Sequence, residues 1–243
     1  MTCASRWMIA AALILTGSAL PVAPASAQTN AAPALSSGLV LPPTNSSSSL
    51  SSWPLLAQAA PPAASPPVPA NSLVWAPPPL STNIIDEFKA GVTAHDVGFL
   101  DHHVESGADI NLEMLFTPPS ILQAIGSPRP HIGANINTSG NTDAGYFGLT
   151  WGITLIQNLF GTGGGIFANG SLGGAVNDGY IDSAPPGRKK LGSPVLFRES
   201  AELGYQATPT LSVSAFVDHM SNANLAEHNA GITNAGARFG FKF

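Results

Sequence analysis

The chain has 243 residues, only 9% of them charged, and a formal net charge of −5. A soluble domain typically carries about 25% charged residues, so something other than charge must solvate this surface. No basic face is available to nucleic acid, and that class of partner is excluded.

Residues 1–27 read as a secretory signal: Arg6, the apolar run from Met8 to Leu15, then Ala25-Ser26-Ala27 as an A-x-A cleavage site. Cleavage is expected to leave Gln28 first and to remove Cys3, the single cysteine, so neither a disulfide nor a cysteine metal site is expected afterwards. No run of about 18 apolar residues follows, which excludes a helical membrane span but not a β-barrel. Residues 28–81 hold no Lys, Arg, Asp or Glu and are mostly Ala, Pro, Ser and Leu. Such sequence has no periodic apolar face and is expected to form an extended or disordered tether, placed in the periplasm, with Trp53 and Trp75 able to dock. The folded unit is then 82–243.

Within that unit the signal is period two, which predicts strands. The first sets Phe88, Ala90, Val92 and Ala94 against Glu87, Lys89, Gly91, Thr93 and His95. In the second, Ala108, Ile110, Leu112, Met114 and Phe116 alternate with Gly107, Asp109, Asn111 and Glu113. A third sets Ile132, Ala134 and Ile136 against His131, Asn135 and Asn137, and the fourth sets Phe147 to Leu155 against Tyr146, two glycines and two threonines. The fifth, 165–176, is Gly-rich and the least regular. The sixth, 195–206, and the seventh, from Leu211 to Asp218, alternate again; the eighth sets Ala237, Phe239, Phe241 and Phe243 against Gly236, Arg238, Gly240 and Lys242. A soluble sandwich also alternates. An even strand number, polar faces of carboxylates, Arg and small residues, and a last strand ending in Phe point instead to an eight-stranded antiparallel outer-membrane β-barrel with a side-chain-filled lumen.

With a periplasmic N-terminus, the turn 207–210 lies in the periplasm, and the seventh strand rises to the outer rim at His219. Parity places His219 and Ser221 on the lipid-facing row of that strand, two residues apart and able to approach one another. A base beside a hydroxyl is the minimum for an activated serine nucleophile. Both could equally sit at headgroup level as tolerated polar residues. If they react, their substrate is a lipid of that leaflet.

The run His219-x-Ser221-Asn222, a short loop with Asn229 and Gly231, and a closing G-x-R-x-G-x-F strand resemble the C-terminal signature of the lipid A 3-O-deacylase family, the PagL-like acyloxyacyl hydrolases. Glu202-Leu203-Gly204-Tyr205 is similar too, and the resemblance is specific over 197–243. It implies an eight-stranded outer-membrane serine esterase that removes an ester-linked acyl chain from lipid A of lipopolysaccharide, with no cofactor. By position Ser221 would be the nucleophile, His219 the base, and Asn222 and Asn229 would fix the loop or donate to an oxyanion. One departure stands out: the position of the family's acid is Thr233, whose hydroxyl can accept a hydrogen bond but carries no charge.

Glu199 is the candidate replacement. A hairpin closing near Thr208 and Pro209 places Glu199 opposite His219, with Cβ atoms about 5 Å apart. Glu227, in the loop, is a weaker alternative, and Asp218 should point into the lumen, as should His131. His228 is a loop residue. A metal site can be drawn from His95, His102, His103, Asp96 and Asp101, but without a fourth ligand at defined spacing a wet loop is expected there. The rival reading is a non-catalytic structural or adhesion barrel, favoured by Thr233; a porin is disfavoured by the filled interior.

Overall fold

A computed structural model describes residues 67–77 and 82–243. The expected signal segment and most of the expected tether lie outside the described residues.

Among the described residues nine strands form one sheet: β1 Ser72–Ala76, β2 Ile85–Ala94, β3 Ala108–Phe116, β4 Arg129–Asn137, β5 Ala144–Gln157, β6 Gly165–Asn177, β7 Val195–Gln206, β8 Leu211–Ser221 and β9 Ile232–Lys242. Strands β2 to β9 are the eight read from alternation. Each pairs antiparallel with its sequence neighbours, and β9 returns to pair with β2, from Glu87↔Lys242 to Ala94↔Ala235. The sheet is therefore a closed barrel without a free long edge.

The polarity is inverted relative to a soluble protein. Phe88, Val92, Ile110, Ile132, Phe147, Leu203, Val213, Phe239 and Phe241 all face out and are exposed, while the opposite parity is buried and charged. Such an apolar belt around a polar interior is that of an outer-membrane-type barrel.

Inside, the charges are paired. Lys89 Nζ donates to Glu202 at 2.5 Å; Arg238 reaches Glu202 at 2.9 Å and Glu113 at 3.3 Å; Arg198 meets Asp218 at 2.9 Å; Arg129 meets Asp86 and Glu87 at 2.9 and 2.8 Å. The guanidinium of Arg198 lies 3.6 Å over the ring of Tyr146, and that of Arg238 lies 3.7 Å over Phe216. Gly133 makes the first stack possible, because a Cβ there would stand 2.4 Å from Tyr146 Cζ. His131 is luminal as expected, with Nδ1 bonded to Thr150 Oγ1 at 2.9 Å. The side chains fill the bore, leaving a packed core and not an aqueous channel.

Two differences from the sequence reading concern strand limits. Ser72–Ala76, expected within the tether, is a strand, because β5 runs on past its last β4 partner, Arg129↔Thr150, and β1 covers the edge from Thr154 to Gln157. Its Leu73 and Trp75 are exposed on one face. Strand β9 starts at Ile232 and not at Gly236, because the ladder with β8 continues through Asp218↔Asn234 and His219↔Thr233 to Met220↔Ile232. The second difference brings Thr233 into the sheet.

The connections 95–107, 138–143, 178–194 and 222–231 gather at one end of the barrel, and 117–128, 158–164 and 207–210 at the other. The first end carries the candidate site.

Candidate active site

At the loop end, the outward rows of three adjacent strands align. Glu199 on β7 is the direct partner of His219 on β8, and His219 is in turn the direct partner of Thr233 on β9. Ser221 lies one step further out on the same row of β8, opposite Phe197. The residues spread over 35 positions of sequence are thus placed on one patch by ladder register.

Contacts within the patch differ from the expectation. His219 Nδ1 is hydrogen-bonded to Thr233 Oγ1 at 2.8 Å, so Thr233 occupies the position of an orienting group. Glu199 has the register place read from the hairpin, yet no hydrogen bond or ion pair joins it to the imidazole, whose Nδ1 is held by Thr233. Ser221 Oγ and His219 share the face without a hydrogen bond between them. Catalytic contacts of this kind often tighten only once substrate is bound.

The asparagines fix the loop. Asn222 is buried, and both of its amide hydrogens are spent: Nδ2 donates to Leu191 O at 2.8 Å and His228 O at 2.6 Å. Its backbone N–H donates to Asn229 Oδ1 at 3.1 Å, and Asn229 Nδ2 donates to Asn224 Oδ1 at 3.0 Å. Of the two, Asn229 alone retains an amide N–H for an oxyanion. Asp218 faces the lumen and is paired with Arg198, away from the imidazole beside it in sequence. Glu227 lies in the 222–231 loop, off the ladder.

The loop 95–107 departs from the wet loop expected of it. His95, Asp96 and Glu105 are buried, and each is committed to protein partners. His95 Nδ1 meets Asp109 Oδ2 at 2.9 Å and Nε2 meets Glu105 Oε2 at 3.2 Å. Burial alone would lower the His95 pKa; the hydrogen bonds to Asp109 and Glu105 outweigh it and raise it to about 9. Burial would raise Glu105, but the bonds from His95 and from the Lys189 and Thr142 backbone lower it to about 2. Asp96 accepts from Lys189 Nζ at 2.7 Å, and its carbonyl bonds His103 Nδ1. Of that cluster, His102 and His103 are exposed and Asp101 half-buried.

This loop and the 178–194 loop hold the site from above. Val97 N–H donates to Thr233 O at 2.7 Å, and Asp96 N–H to Asn234 Oδ1 at 3.1 Å. Gly231 is clasped on both sides: its N–H donates to Asp101 Oδ2 at 2.8 Å, and its carbonyl accepts from Lys189 Nζ at 2.6 Å. It also lies against the imidazole, since a Cβ on Gly231 would stand 2.6 Å from His219 Cε1 and 3.0 Å from Nε2. Sequence reasoning did not find Lys189 or the clasp on Gly231; no local pattern couples positions so far apart.

Beside Ser221 a groove of about 480 Å³ opens along the outer wall, lined by Gly174, Val195, Phe197, Asn222 and Leu225 among others. A larger cavity of about 620 Å³, with Arg129, Asp86 and Lys242 in its walls, lies at the opposite mouth and far from this patch.

The family model of lipid A 3-O-deacylase (PagL) matches residues 122–242. Over those residues the chain belongs to the PagL family. The PagL match takes in β4 to β9, hence Glu199, His219, Ser221, Asn222, Asn229 and Thr233, and leaves out β2, β3 and the 95–107 loop. Among solved structures, the chain is similar to the crystal structure of the outer membrane enzyme PagL, at 18% identity and a TM-score of 0.47, over 65% of this chain and 99% of that one. It is also similar to the N-terminal β-barrel domain of Pseudomonas aeruginosa OprF, at 13% identity and a TM-score of 0.38, over 66% and 98%. No curated protein matches the chain.

Proposed function

We propose that the chain is an outer-membrane serine esterase that removes an ester-linked acyl chain from lipid A or a closely related glycolipid, its tether lying in the periplasm. One observation carries this reading: an imidazole oriented at Nδ1, with a serine hydroxyl two residues on, stands on the lipid-facing row at the loop end of a PagL-family barrel. Polar groups on that row have no structural need to meet, and a lipid is what they would encounter.

The chemistry follows from the tautomer. In the tautomer that donates Nδ1–H to Thr233 Oγ1, Nε2 carries the lone pair and can take the Ser221 Oγ proton. Oγ then bonds to the acyl carbonyl carbon, and the free N–H of Asn229 is suited to the developing oxyanion. The carbon–oxygen bond to the sugar breaks, and the leaving alkoxide takes the proton back from the imidazolium. Water, deprotonated by the same nitrogen, releases the fatty acid and restores Ser221. The groove lined by Gly174, Val195, Phe197 and Leu225 is an apolar lane for the chain being removed.

Thr233 favours a second reading, a structural or adhesion barrel on the same scaffold, because an uncharged hydroxyl supports an imidazolium less well than a carboxylate. Mass spectrometry of lipid A from a Gram-negative host expressing wild type or Ser221→Ala separates the two. Loss of one ester-linked chain with wild type only is the expected result. Unchanged lipid A from both, with each barrel folded in the outer membrane, would sink the esterase reading for that host's lipid.

A further inference from the structure

We propose that Asp101 is the charged partner of His219: its carboxylate, held on the Gly231 N–H at the imidazole edge, supplies the negative charge that Thr233 cannot. The inference rests on reading Ser221 and His219 as the reaction centre. Two duties of a triad acid are separable, namely orienting the ring and stabilising its protonated form. Thr233 performs the first at Nδ1. A negative charge near the ring performs the second without touching Nδ1.

The geometry selects Asp101. Its Oδ2 accepts the Gly231 N–H at 2.8 Å, and Gly231 lies in van der Waals contact with the Cε1–Nε2 edge of the ring. The same carboxylate also stands 3.6 Å from Lys189 Nζ, whose other contacts are Asp96 and the Gly231 carbonyl, so it belongs to the set of groups gathered around Gly231. The other charges do not replace it. Asp218 faces the lumen and is compensated by Arg198 at 2.9 Å. Asp96 is compensated by Lys189 at 2.7 Å, while the same ammonium stands 3.6 Å from Asp101. Two carboxylates with one ammonium leave the cluster a net negative charge. Glu199 faces His219 from β7, without a hydrogen bond or ion pair to it.

Asp101 is thus a positioning and electrostatic residue, not one that touches substrate. It lies outside residues 122–242, the stretch matched to the family. In this chain the carboxylate is offered by a loop folded over the ladder.

Asp101→Asn tests the inference, because the amide oxygen can keep the Gly231 bond while the charge is lost. Ring-labelled His219 is titrated by NMR in the full barrel folded in detergent, and deacylation is followed against pH. In Asp101→Asn the His219 midpoint and the acidic limb of kcat/KM should both move down by about half a pH unit or more, as loss of one negative charge on the far side of Gly231, at a partly wet rim, requires. In a Thr233→Glu background, with charge restored at Nδ1, the same substitution should move the limb much less. An unchanged midpoint in Asp101→Asn would overturn the inference, even if activity fell, since Asp101 would then only brace the loop. A midpoint lowered by Asp101→Asn, together with a wild-type barrel that deacylates nothing, would leave the coupling standing and sink the esterase reading.

Discussion

A buried histidine, His95, anchors the loop over the site. His95 has a carboxylate at each ring nitrogen, Asp109 at 2.9 Å and Glu105 at 3.2 Å, so both nitrogens act as donors and the ring is charged. Its pKa is raised from 6.5 to about 9, which makes folded-loop stability depend on pH. A group whose folded value is raised contributes fully below the unfolded value and loses that contribution as pH climbs through the folded one. The window is therefore pH 6.5 to 9, and the full contribution is about 3–4 kcal/mol, from 9 minus 6.5 at about 1.4 kcal/mol per unit. Counting the lowered Glu105 as well would count the same pair twice. Hydrogen exchange of the Val97 and Glu105 amides, corrected for intrinsic rate, reads the opening of this loop; they donate to Thr233 O and Asp96 Oδ2. The open population should rise about two hundredfold between pH 6 and pH 10. His95→Gln should flatten that profile. A flat profile in wild type, or an equal slope in His95→Gln, would refute the reasoning.

Two further substitutions probe the lumen and the patch. Arg238→Met removes the partner of Glu202 and Glu113 and leaves Glu113 only Arg198 at 3.9 Å, so the urea midpoint of the heat-modifiable barrel should drop by the equivalent of about 3–5 kcal/mol. Adding Glu113→Gln should recover part of that loss. With Nδ1 held by Thr233, Glu199→Gln and Glu227→Gln should each keep deacylation within about threefold of wild type; a loss of ten times or more at Glu199 alone would return it to the role of acid.

The barrel was legible in the sequence because its polarity is inverted. A strand that puts Lys89, Glu113, Arg198 or Arg238 on one parity and Phe, Val and Leu on the other admits one pairing register, since a one-residue slip would send charge into lipid. The same parity fixed the rows of His219, Ser221 and Glu199. Strand β1 was not legible: SLVWA sits among prolines, and its pairing with the edge of β5 depends on β4 being short. Nor was the start of β9, where Thr233-Asn234 reads as loop until the 95–107 segment covers it and takes up the Thr233 carbonyl. The ties on Gly231, beside His219, come from Asp101 and Lys189, in two different loops. Period and spacing carry no signal for such contacts.

The architecture explains why a site on a membrane-facing row can hold its geometry. Ladder register spaces Glu199, His219 and Thr233 across three strands, and the ion pairs of Arg198 and Arg238 lie on the luminal side behind them. The row facing lipid can carry no free charge of its own at low cost. Charge can instead be brought from above, on loops that lie at headgroup level and can be tied into ion networks. Thr233 is compatible with that division: it gives the ring its orientation within the wall, and the loop beside it carries the carboxylates. Replacing an ordinary outward residue such as Val213 should then affect insertion into the membrane and little else, whereas a change in the 95–107 loop should alter the ionisation of His219 while the barrel stays folded.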